Sequence, residues 1–223
     1  ISVWAPELKA VGQGTVAFAA TGADGIMRAA MAAAATLPHR ADFKGFQRPV
    51  TGRGETRLAS AALWKLAHEL GMAPGHKTIT VAMERQSSAF AQGLLSGLFD
   101  ADGSVQGTQD KGLSVRLSQS DASLLATVQR MLLRLGIVST LYTERRPAAV
   151  ASLPDGKGGR ADYATQAQHE LIISGDNLRV YAERIGFEDS DKAERLAQAL
   201  GGYKRRLNRE RFTATVMSLL PDG

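Results

Sequence analysis

Polar and apolar positions follow two different periods along the chain, which predicts a mixture of helices and strands. Apolar residues at a spacing of three or four, typical of amphipathic helices, occur over 26–37, 61–72, 121–137, 176–187 and 191–200. Strand patterns with alternating polar and apolar residues occur near 1–4, 15–20, 43–50, 55–60, 113–120, 139–146 and 169–175. A glycine-rich segment, 153–163, is predicted to be a loop. The mixed order of elements predicts an α+β fold.

One further helix contains an unusual sequence, GLLSGLFDADGSV, over 93–105. The helix is predicted to begin near Ser87 or Ser88, either of which is a good N-cap, with an apolar repeat every fourth residue from Phe90. Gly93 and Gly97 each cost about 1 kcal/mol relative to alanine inside a helix. Its aspartates also lie at the unfavourable end of the helix dipole. Some other interaction must compensate for both costs.

A narrow face of small residues on this helix suggests which interaction offsets these costs. Ala89, Gly93 and Gly97 stand four residues apart, and small side chains let two helix backbones approach closely. A second helix packed there would bring two sets of C-terminal carboxylates together, and like charges so placed repel unless a cation lies between them. Oxygen ligands suit Mg²⁺ best. The arrangement is that of metal-assisted attack of water on a phosphodiester.

The second half of the chain repeats the first. Leu63, Ala67 and Gly71 recur as Leu178, Ala182 and Gly186, and Lys77 recurs as Lys192, in every case 115 residues later. The repeated unit reads helix, two strands, helix, two strands, helix, and the opening helix of the first copy is expected to precede Ile1. We expect a first, N-terminally incomplete repeat over 1–85, a second over 86–200, and a basic C-terminal tail over 201–223.

Charge and composition narrow the classes of partner. The formal net charge of +5 favours a polyanionic partner. Basic residues cluster over 51–57, 143–147 and 202–211. The absence of cysteine excludes disulfides, thiolate zinc sites and thiol catalysis. No apolar run reaches the roughly 18 residues of a membrane span, so we expect a cytoplasmic protein without a membrane partner.

Residues 95–103, LSGLFDADG, resemble the LAGLIDADG signature of homing endonucleases, with Ser96 and Phe99 in place of alanine and isoleucine. Residues 76–80, HKTIT, and 184–192, RIGFEDSDK, resemble the two lysine-carrying blocks of that family. Within the family the chain is most similar to intein-encoded domains of adenosylcobalamin-dependent ribonucleotide reductases. The resemblance implies an α+β fold of two pseudo-symmetric αββαββα repeats in one chain.

The resemblance also implies an activity and the residues that perform it. It implies a site-specific double-strand DNA endonuclease that hydrolyses phosphodiesters with Mg²⁺ or Mn²⁺, as a monomer acting as a pseudo-dimer. It assigns Asp102 to the metal and Asp100 to the shaping of the helix end. Lys77 and Lys192 match lysines beside the two scissile phosphates, and Gln119 matches a glutamine that positions solvent near the metals. An intein origin would add a splicing domain in cis, encoded outside residues 1–223.

DNA contacts are expected from the strands. Alternation over 113–120 places Ser114, Arg116 and Ser118 on one face and Val115 and Leu117 on the other. The polar face is expected to lie on DNA, where strands in the major groove read base edges and arginine pairs with guanine. The arginines assigned to this surface are Arg48, Arg53, Arg57, Arg116, Arg145 and Arg146.

Other interpretations stay open from the sequence. The chain could be a catalytically silent LAGLIDADG-fold module that binds DNA or RNA, or a small-ligand enzyme that uses Asp100 and Asp102 alone. No phosphate-binding loop or nucleotide fingerprint supports the small-ligand enzyme. The two aspartates could also form a simple polar turn, Lys77 and Lys192 could be solvated surface charges, and Gln119 could be an ordinary strand end.

Overall fold

The computed structural model of the chain describes residues 2–4, 14–19, 24–47, 55–72, 78–108, 112–154 and 158–202. The strands are β1 (Ser2–Trp4), β2 (Gly14–Ala19), β3 (Phe46–Gln47), β4 (Glu55–Ser60), β5 (Gly103–Thr108), β6 (Gly112–Gln119), β7 (Thr140–Arg146), β8 (Ala149–Pro154), β9 (Arg160–Thr165) and β10 (Gln168–Ser174). The helices are α1 (Asp24–Ala35), α2 (Ala61–Glu69), α3 (Val81–Glu84), α4 (Ser88–Asp102), α5 (Ala122–Arg134), α6 (Asn177–Arg184) and α7 (Ser190–Gly201). Within these residues, no helix has the length and apolar character needed to cross a membrane.

Two four-stranded antiparallel sheets share one strand order. The first sheet has the order β1-β2-β4-β3 and the second has the order β5-β6-β10-β7. β1 therefore corresponds to β5, β2 to β6, β4 to β10 and β3 to β7, with α1 and α5 at equivalent places in the chain. This arrangement confirms the predicted α+β fold. α4 opens an αββαββα repeat, and the described part of the first half, from β1 to α2, forms a ββαββα unit with the same strand order.

The 115-residue repeat in sequence is also a repeat in backbone geometry. Gly71 follows α2 with a φ of +82°, and Gly186 follows α6 with a φ of +65°. Glycine adopts this left-handed conformation at no steric cost and commonly ends helices in this way. The two glycines therefore terminate equivalent helices, each of which packs beside its own sheet.

The prediction of a loop over 153–163 is wrong in part, because β8 and β9 form a hairpin there. The hairpin pairs Ala149 with Thr165 at one end and Pro154 with Arg160 at the other. Small residues and glycines gave this segment a weak strand pattern. The pattern of β5 was equally weak, since this strand contains two glycines and one strongly apolar residue. In sequence the hairpin falls between β7 and β10, and the equivalent strands β3 and β4 are separated by seven residues.

The described core of the second repeat lies between its sheet and its helices. Val115 and Leu117 of β6 are fully buried, as the alternation predicts. On α4 the fully buried stripe is Ala91, Leu95 and Phe99. The buried stripe therefore lies one residue after the stripe that was expected from Phe90. The residues of the expected stripe are only partly buried, and two of them pack at the edge of the core. The helix has a broad apolar side, so its spacing alone did not identify the central row.

Helix α4 runs directly into β5 without a connecting loop. Asp102 is the last residue of the helix and Gly103 is the first residue of the strand. A Cβ atom at position 103 would lie 2.5 Å from the carbonyl oxygen of Phe99, so this close approach requires glycine. At the other end, the Ser87 hydroxyl accepts a hydrogen bond from the backbone N–H of Phe90 and caps the helix. The junction fixes Asp102 beside the second sheet.

Candidate functional site

Asp102 and Gln119 meet at the end of α4. Gln119 is the last residue of β6, and its Nε2 donates a hydrogen bond of 2.8 Å to Oδ2 of Asp102. The pairing of Gly103 with Leu117 brings the helix–strand junction beside the end of β6. Asp102 is exposed, and its Oδ1 takes no part in this bond. The fold therefore joins two of the predicted site residues through one carboxylate oxygen of an exposed aspartate.

Asp100 has a different environment, although it lies only two residues earlier. Its carboxylate is buried and accepts hydrogen bonds from the backbone N–H groups of Glu188, at 3.0 Å, and Asp189, at 3.1 Å. Burial raises the pKa of Asp100 above its ordinary value, and the two backbone bonds and the charge of Lys192 oppose that rise. Asp100 thus anchors the chain that enters α7, and the helix end that it shapes is the start of α7.

Lys192 caps the C-terminal end of α4. Its Nζ donates hydrogen bonds to the carbonyl oxygen of Phe99, at 3.3 Å, and to that of Asp100. The Phe99 carbonyl also accepts the N–H of Gly103, whereas the carbonyls after it lack helical partners, and together they carry the negative end of the helix dipole, so an ammonium group is stabilised there. Lys192 is itself held in place because its backbone N–H donates to the Asp189 carboxylate that caps α7. A positive charge therefore lies at the same helix end as Asp102.

The other predicted catalytic lysine and several arginines have no described side chain. Lys77, Arg48 and Arg53 lie outside the described residues. Arg57 is described through its backbone alone, in β4 opposite Gln47. The geometry of the candidate site therefore comes from the second repeat.

The side chains around Asp102 fit a metal ion that takes most of its ligands from water and substrate and few from the protein. Within the described parts of the chain, no group of three His, Cys, Asp or Glu side chains could hold a metal ion. Mg²⁺ is commonly bound through one or two carboxylates, with water and substrate phosphates as its other ligands. A single exposed carboxylate, oriented by a neighbouring amide, suits such a site and does not suit a closed protein cage.

The polar face of the second sheet carries a compact charged cluster. We call Arg116, Tyr142, Arg145 and Glu170 the Glu170 cluster. Nη1 of Arg116 lies 3.4 Å from Oε2 of Glu170, and Nε of Arg145 lies 3.0 Å from the same oxygen. The Arg145 guanidinium also lies 4.9 Å from the centre of the Tyr142 ring. Two cations thus share one carboxylate on the face that was predicted to contact DNA.

The remaining polar residues of this face differ in exposure. Arg116 donates from Nε to the Ser114 hydroxyl at 2.9 Å, and Ser114 is buried. Ser118 is exposed, and so is Arg146, which lies opposite Gln168 on β10. The structure therefore brings Arg116 and Arg145 together, and it places Arg146 at the end of β7, where this strand pairs with β10.

Glu170 was missed by the sequence analysis, although a signal was present. It lies inside a predicted strand, two residues before Ile172, which pairs with Arg116. Alternation therefore places Glu170 on the same face of the sheet as Arg116. An acidic residue on a predicted cationic surface is the signal that would have identified this ion pair.

Comparison with known proteins adds two kinds of relative. Residues 89–186 match the family model of the LAGLIDADG-like domain. The NrdEB alpha subunit of ribonucleoside-diphosphate reductase from Bacillus subtilis (strain 168) is 30% identical over 171 residues, which cover 74% of this chain and 16% of that protein. A DNA polymerase from Thermococcus litoralis is 28% identical over 162 residues, which cover 72% of this chain and 9% of the polymerase. The chain thus spans only a small part of the length of these relatives.

Solved structures of the homing endonuclease I-DmoI are also similar. The structure of I-DmoI in complex with DNA and Ca is 16% identical, covers 83% of each chain and has a TM-score of 0.47. A structure of its mesophilic variants is 16% identical, covers 78% of this chain and 79% of that chain, and has a TM-score of 0.46.

Proposed function

We propose that the chain is a homing endonuclease that cuts both strands of DNA at a specific site, since residues 89–186 match the family model of the LAGLIDADG-like domain. The observation that carries this proposal is the hydrogen bond between Gln119 and Asp102 at the end of α4. It orients an exposed carboxylate at a helix end that already holds a lysine. A polar sheet face with arginines lies on the same repeat.

In this proposal Asp102 and Gln119 prepare the site for a divalent cation, Mg²⁺ or Mn²⁺. Asp102 would hold the ion through its carboxylate, and Gln119 would keep that carboxylate in one orientation. When bound, the cation supplies positive charge for the developing phosphate transition state and acidifies a water molecule. Asp100 takes no direct part, because its oxygens are occupied by backbone N–H groups.

Lys192 contributes positive charge near the reacting phosphate in this proposal. Its ammonium group is held on the last carbonyls of α4, so its position is fixed before substrate binds. A fixed charge stabilises a transition state without reorganising during the reaction. Lys77 is proposed to have the same role in the first repeat, 115 residues earlier in sequence.

Double-stranded DNA is the proposed partner of the two sheets, one half-site for each. Arg116, Arg145 and Arg146 would contact the second half-site, and Arg48, Arg53 and Arg57 would contact the first. Because both repeats belong to one chain, we propose a monomer that acts as a pseudo-dimer. The small-residue face of α4 supports this arrangement, since a Cβ atom at Gly93 or Gly97 would meet no atom within 4 Å. A helix of the first repeat could therefore pack there closely.

The relatives favour an intein as the origin of the chain. The reductase subunit and the DNA polymerase are named for different activities, yet each contains a segment that is similar to this chain. A shared segment that is a small part of unrelated proteins indicates an inserted module. We propose that the host is a ribonucleotide reductase, in line with the adenosylcobalamin-dependent host indicated by the sequence. A splicing domain in cis would then be a further partner.

The test is cleavage of a plasmid that carries the uninterrupted host gene. The protein is incubated with Mg²⁺ and, separately, with EDTA, beside Asp102→Asn and the matched control Asp162→Asn, which changes an exposed aspartate of β9. We expect linear product with Mg²⁺ from the wild type and the control, and none with EDTA or Asp102→Asn. Sequence-specific binding without cutting would favour the catalytically silent module instead. A protein that neither binds nor cuts the plasmid would refute both functions.

A further inference from the structure

We infer that Glu170 is a specificity-determining residue of the DNA-contacting sheet, which holds Arg145 so that its guanidinium can read a guanine. The inference rests on the proposed function, since it presupposes that this face binds DNA. It assigns a role to a carboxylate that the catalytic arrangement does not use. Glu170 acts on DNA through Arg145 and is therefore a positioning residue.

The geometry of Arg145 supports this role. Its ion pair with Glu170 is made through Nε, at 3.0 Å from Oε2. The closest approach to the carboxylate is thus made by Nε and not by Nη1 or Nη2. The plane of the group is restrained further by the Tyr142 ring, whose centre lies 4.9 Å from the guanidinium carbon. An arginine that is fixed at Nε and presents two parallel Nη donors matches the O6 and N7 acceptors of guanine in the major groove.

Arg116 has a different arrangement, which separates the roles of the two arginines. Its Nε donates to Ser114 and its Nη1 donates to Glu170, so one donor of its Nε–Nη2 edge and one donor of its Nη1–Nη2 end are already engaged inside the protein. The side chain is also more buried than that of Arg145, with 26% against 45% of its surface exposed. We therefore assign base reading to Arg145 and support of the cluster to Arg116.

The charge balance of the Glu170 cluster also supports a role for Glu170 in specificity. One carboxylate lies between two guanidinium groups, so the cluster carries one net positive charge where two arginines alone would carry two. Phosphates attract cations regardless of sequence, so excess charge on this face raises affinity for all DNA. Glu170 thus lowers non-specific attraction and at the same time fixes the group that reads a base.

The experiment compares base preference among variants. Binding sites are selected from a pool of random duplexes with the wild type, Glu170→Gln, Arg145→Lys and the control Glu144→Gln. The control removes a negative charge from an exposed residue of β7 next to Arg145, and no ion pair involves the Glu144 carboxylate among the described residues. Salt dependence of binding to a non-specific duplex is measured for each variant, and melting temperatures verify that each one folds.

We expect the wild type to select guanine at one position of the second half-site. Glu170→Gln should reduce that preference about tenfold, because a bidentate arginine–guanine pair gives discrimination of about that size. Its salt slope should steepen by about one, as one guanidinium becomes available to a phosphate. Arg145→Lys should lose the same preference with an unchanged slope, because lysine keeps the charge without the planar fork. Glu144→Gln should keep the preference.

The possible failures distinguish the two proposals. If the wild type selects a sequence and Glu170→Gln selects it equally well with the same slope, Glu170 has no role in specificity, and DNA binding by this face still stands. Loss of preference in Glu144→Gln to the same extent would show a general charge effect and would also overturn the assignment. If the wild type binds no DNA, the proposed function fails together with this inference.

Discussion

Nε2 of Gln119 lies 2.8 Å from Oδ2 of Asp102, although one residue ends a strand and the other ends a helix. The strand belongs to the face proposed to contact DNA, and the helix carries the proposed metal ligand. The bond is therefore a direct link between the surface that would bind substrate and the carboxylate that would act on it. Its loss should affect the rate of cleavage more than the affinity for DNA.

Replacing Gln119 with alanine tests that link. We expect the single-turnover cleavage rate to fall about 10–100-fold, the usual effect of removing a residue that orients a metal ligand. Affinity for the target in Ca²⁺ should stay within about twofold, because Asp102 remains and no arginine is changed. The control is Gln198→Ala, which removes an exposed glutamine hydrogen-bonded to Glu194 on α7. A normal rate in Gln119→Ala would show that Asp102 needs no orienting partner.

Asp100 is expected to be structural, and two substitutions separate its charge from its hydrogen bonds. Asp100→Ala leaves the N–H groups of Glu188 and Asp189 without an acceptor and should destabilise the fold by about 1–3 kcal/mol. Asp100→Asn keeps an acceptor oxygen and removes a buried charge, so its effect should be close to zero. Chemical denaturation at pH 7 measures both. An asparagine variant as unstable as the alanine variant would show that the charge itself is required.

The raised pKa of Asp100 also predicts a pH dependence. Because its pKa is higher in the folded chain than in the unfolded chain, the folded state binds more protons between the two values. The contribution of this group to stability therefore falls as pH rises through that interval. Asp100→Asn cannot titrate, so it should be less stable than the wild type in acid, and the difference should close as the pH rises to 7. The free energy of unfolding, followed over this range for both proteins, measures the difference.

Lys192 is expected to contribute to both stability and catalysis, and the two effects are separable. Lys192→Met removes the donor to the Phe99 and Asp100 carbonyls and should cost about 1 kcal/mol of stability. If the ammonium group also acts on the phosphate, cleavage at a temperature where the variant is fully folded should fall at least about 100-fold. A stable baseline by circular dichroism at that temperature is the control. A rate that falls only with the folded fraction would make the lysine purely structural.

Glu84 should stabilise the fold in a pH-dependent way. It pairs with Arg130 through both carboxylate oxygens, at 2.6 and 2.8 Å, and this pairing lowers the pKa of Glu84 below its ordinary value of 4.5. The stabilisation is therefore complete above about pH 4.5 and is lost as pH falls through the lowered value. Because Arg130 is largely exposed, its size should be about 1 kcal/mol or less.

The measurement is the melting temperature of wild type and Glu84→Gln between pH 7 and pH 2.5. We expect the wild type to be more stable at neutral pH and the difference to close in acid. Glu69→Gln, which removes a more exposed partner of Lys65 at 3.8 Å, should show little difference at any pH. A constant difference for Glu84→Gln across the range would mean that packing, and not the ion pair, is responsible.

Much of the fold could be predicted from local patterns, and the site could be predicted only in part. The cap at Ser87, the alternation around Val115 and the matching ends at Gly71 and Gly186 depend on residues close in sequence, so the chain itself reveals them. The β8–β9 hairpin escaped prediction because its small side chains give little contrast between its two faces.

Side-chain partners were harder to predict, because they depend on how distant elements pack. The pattern at the end of α4 singled out Asp100 and Asp102, but the direction of each carboxylate became clear only from the fold. Asp100 turns towards residues 188 and 189, and Asp102 turns towards Gln119. The partnership of Glu170 with Arg145 likewise depends on the register between β7 and β10. Register of this kind is set by tertiary contacts.

The hairpin between β7 and β10 makes the two halves of the molecule unequal. Residues 147–167 connect these strands, whereas residues 48–54 connect the equivalent strands β3 and β4. A protein with identical halves would bind a duplex equally well after a half-turn, and its preferred sites would be palindromes. The two halves of this chain are therefore distinguishable. If the chain binds DNA as proposed, its two half-sites need not be related by symmetry, and the preferred bases of one half can change without a matching change in the other.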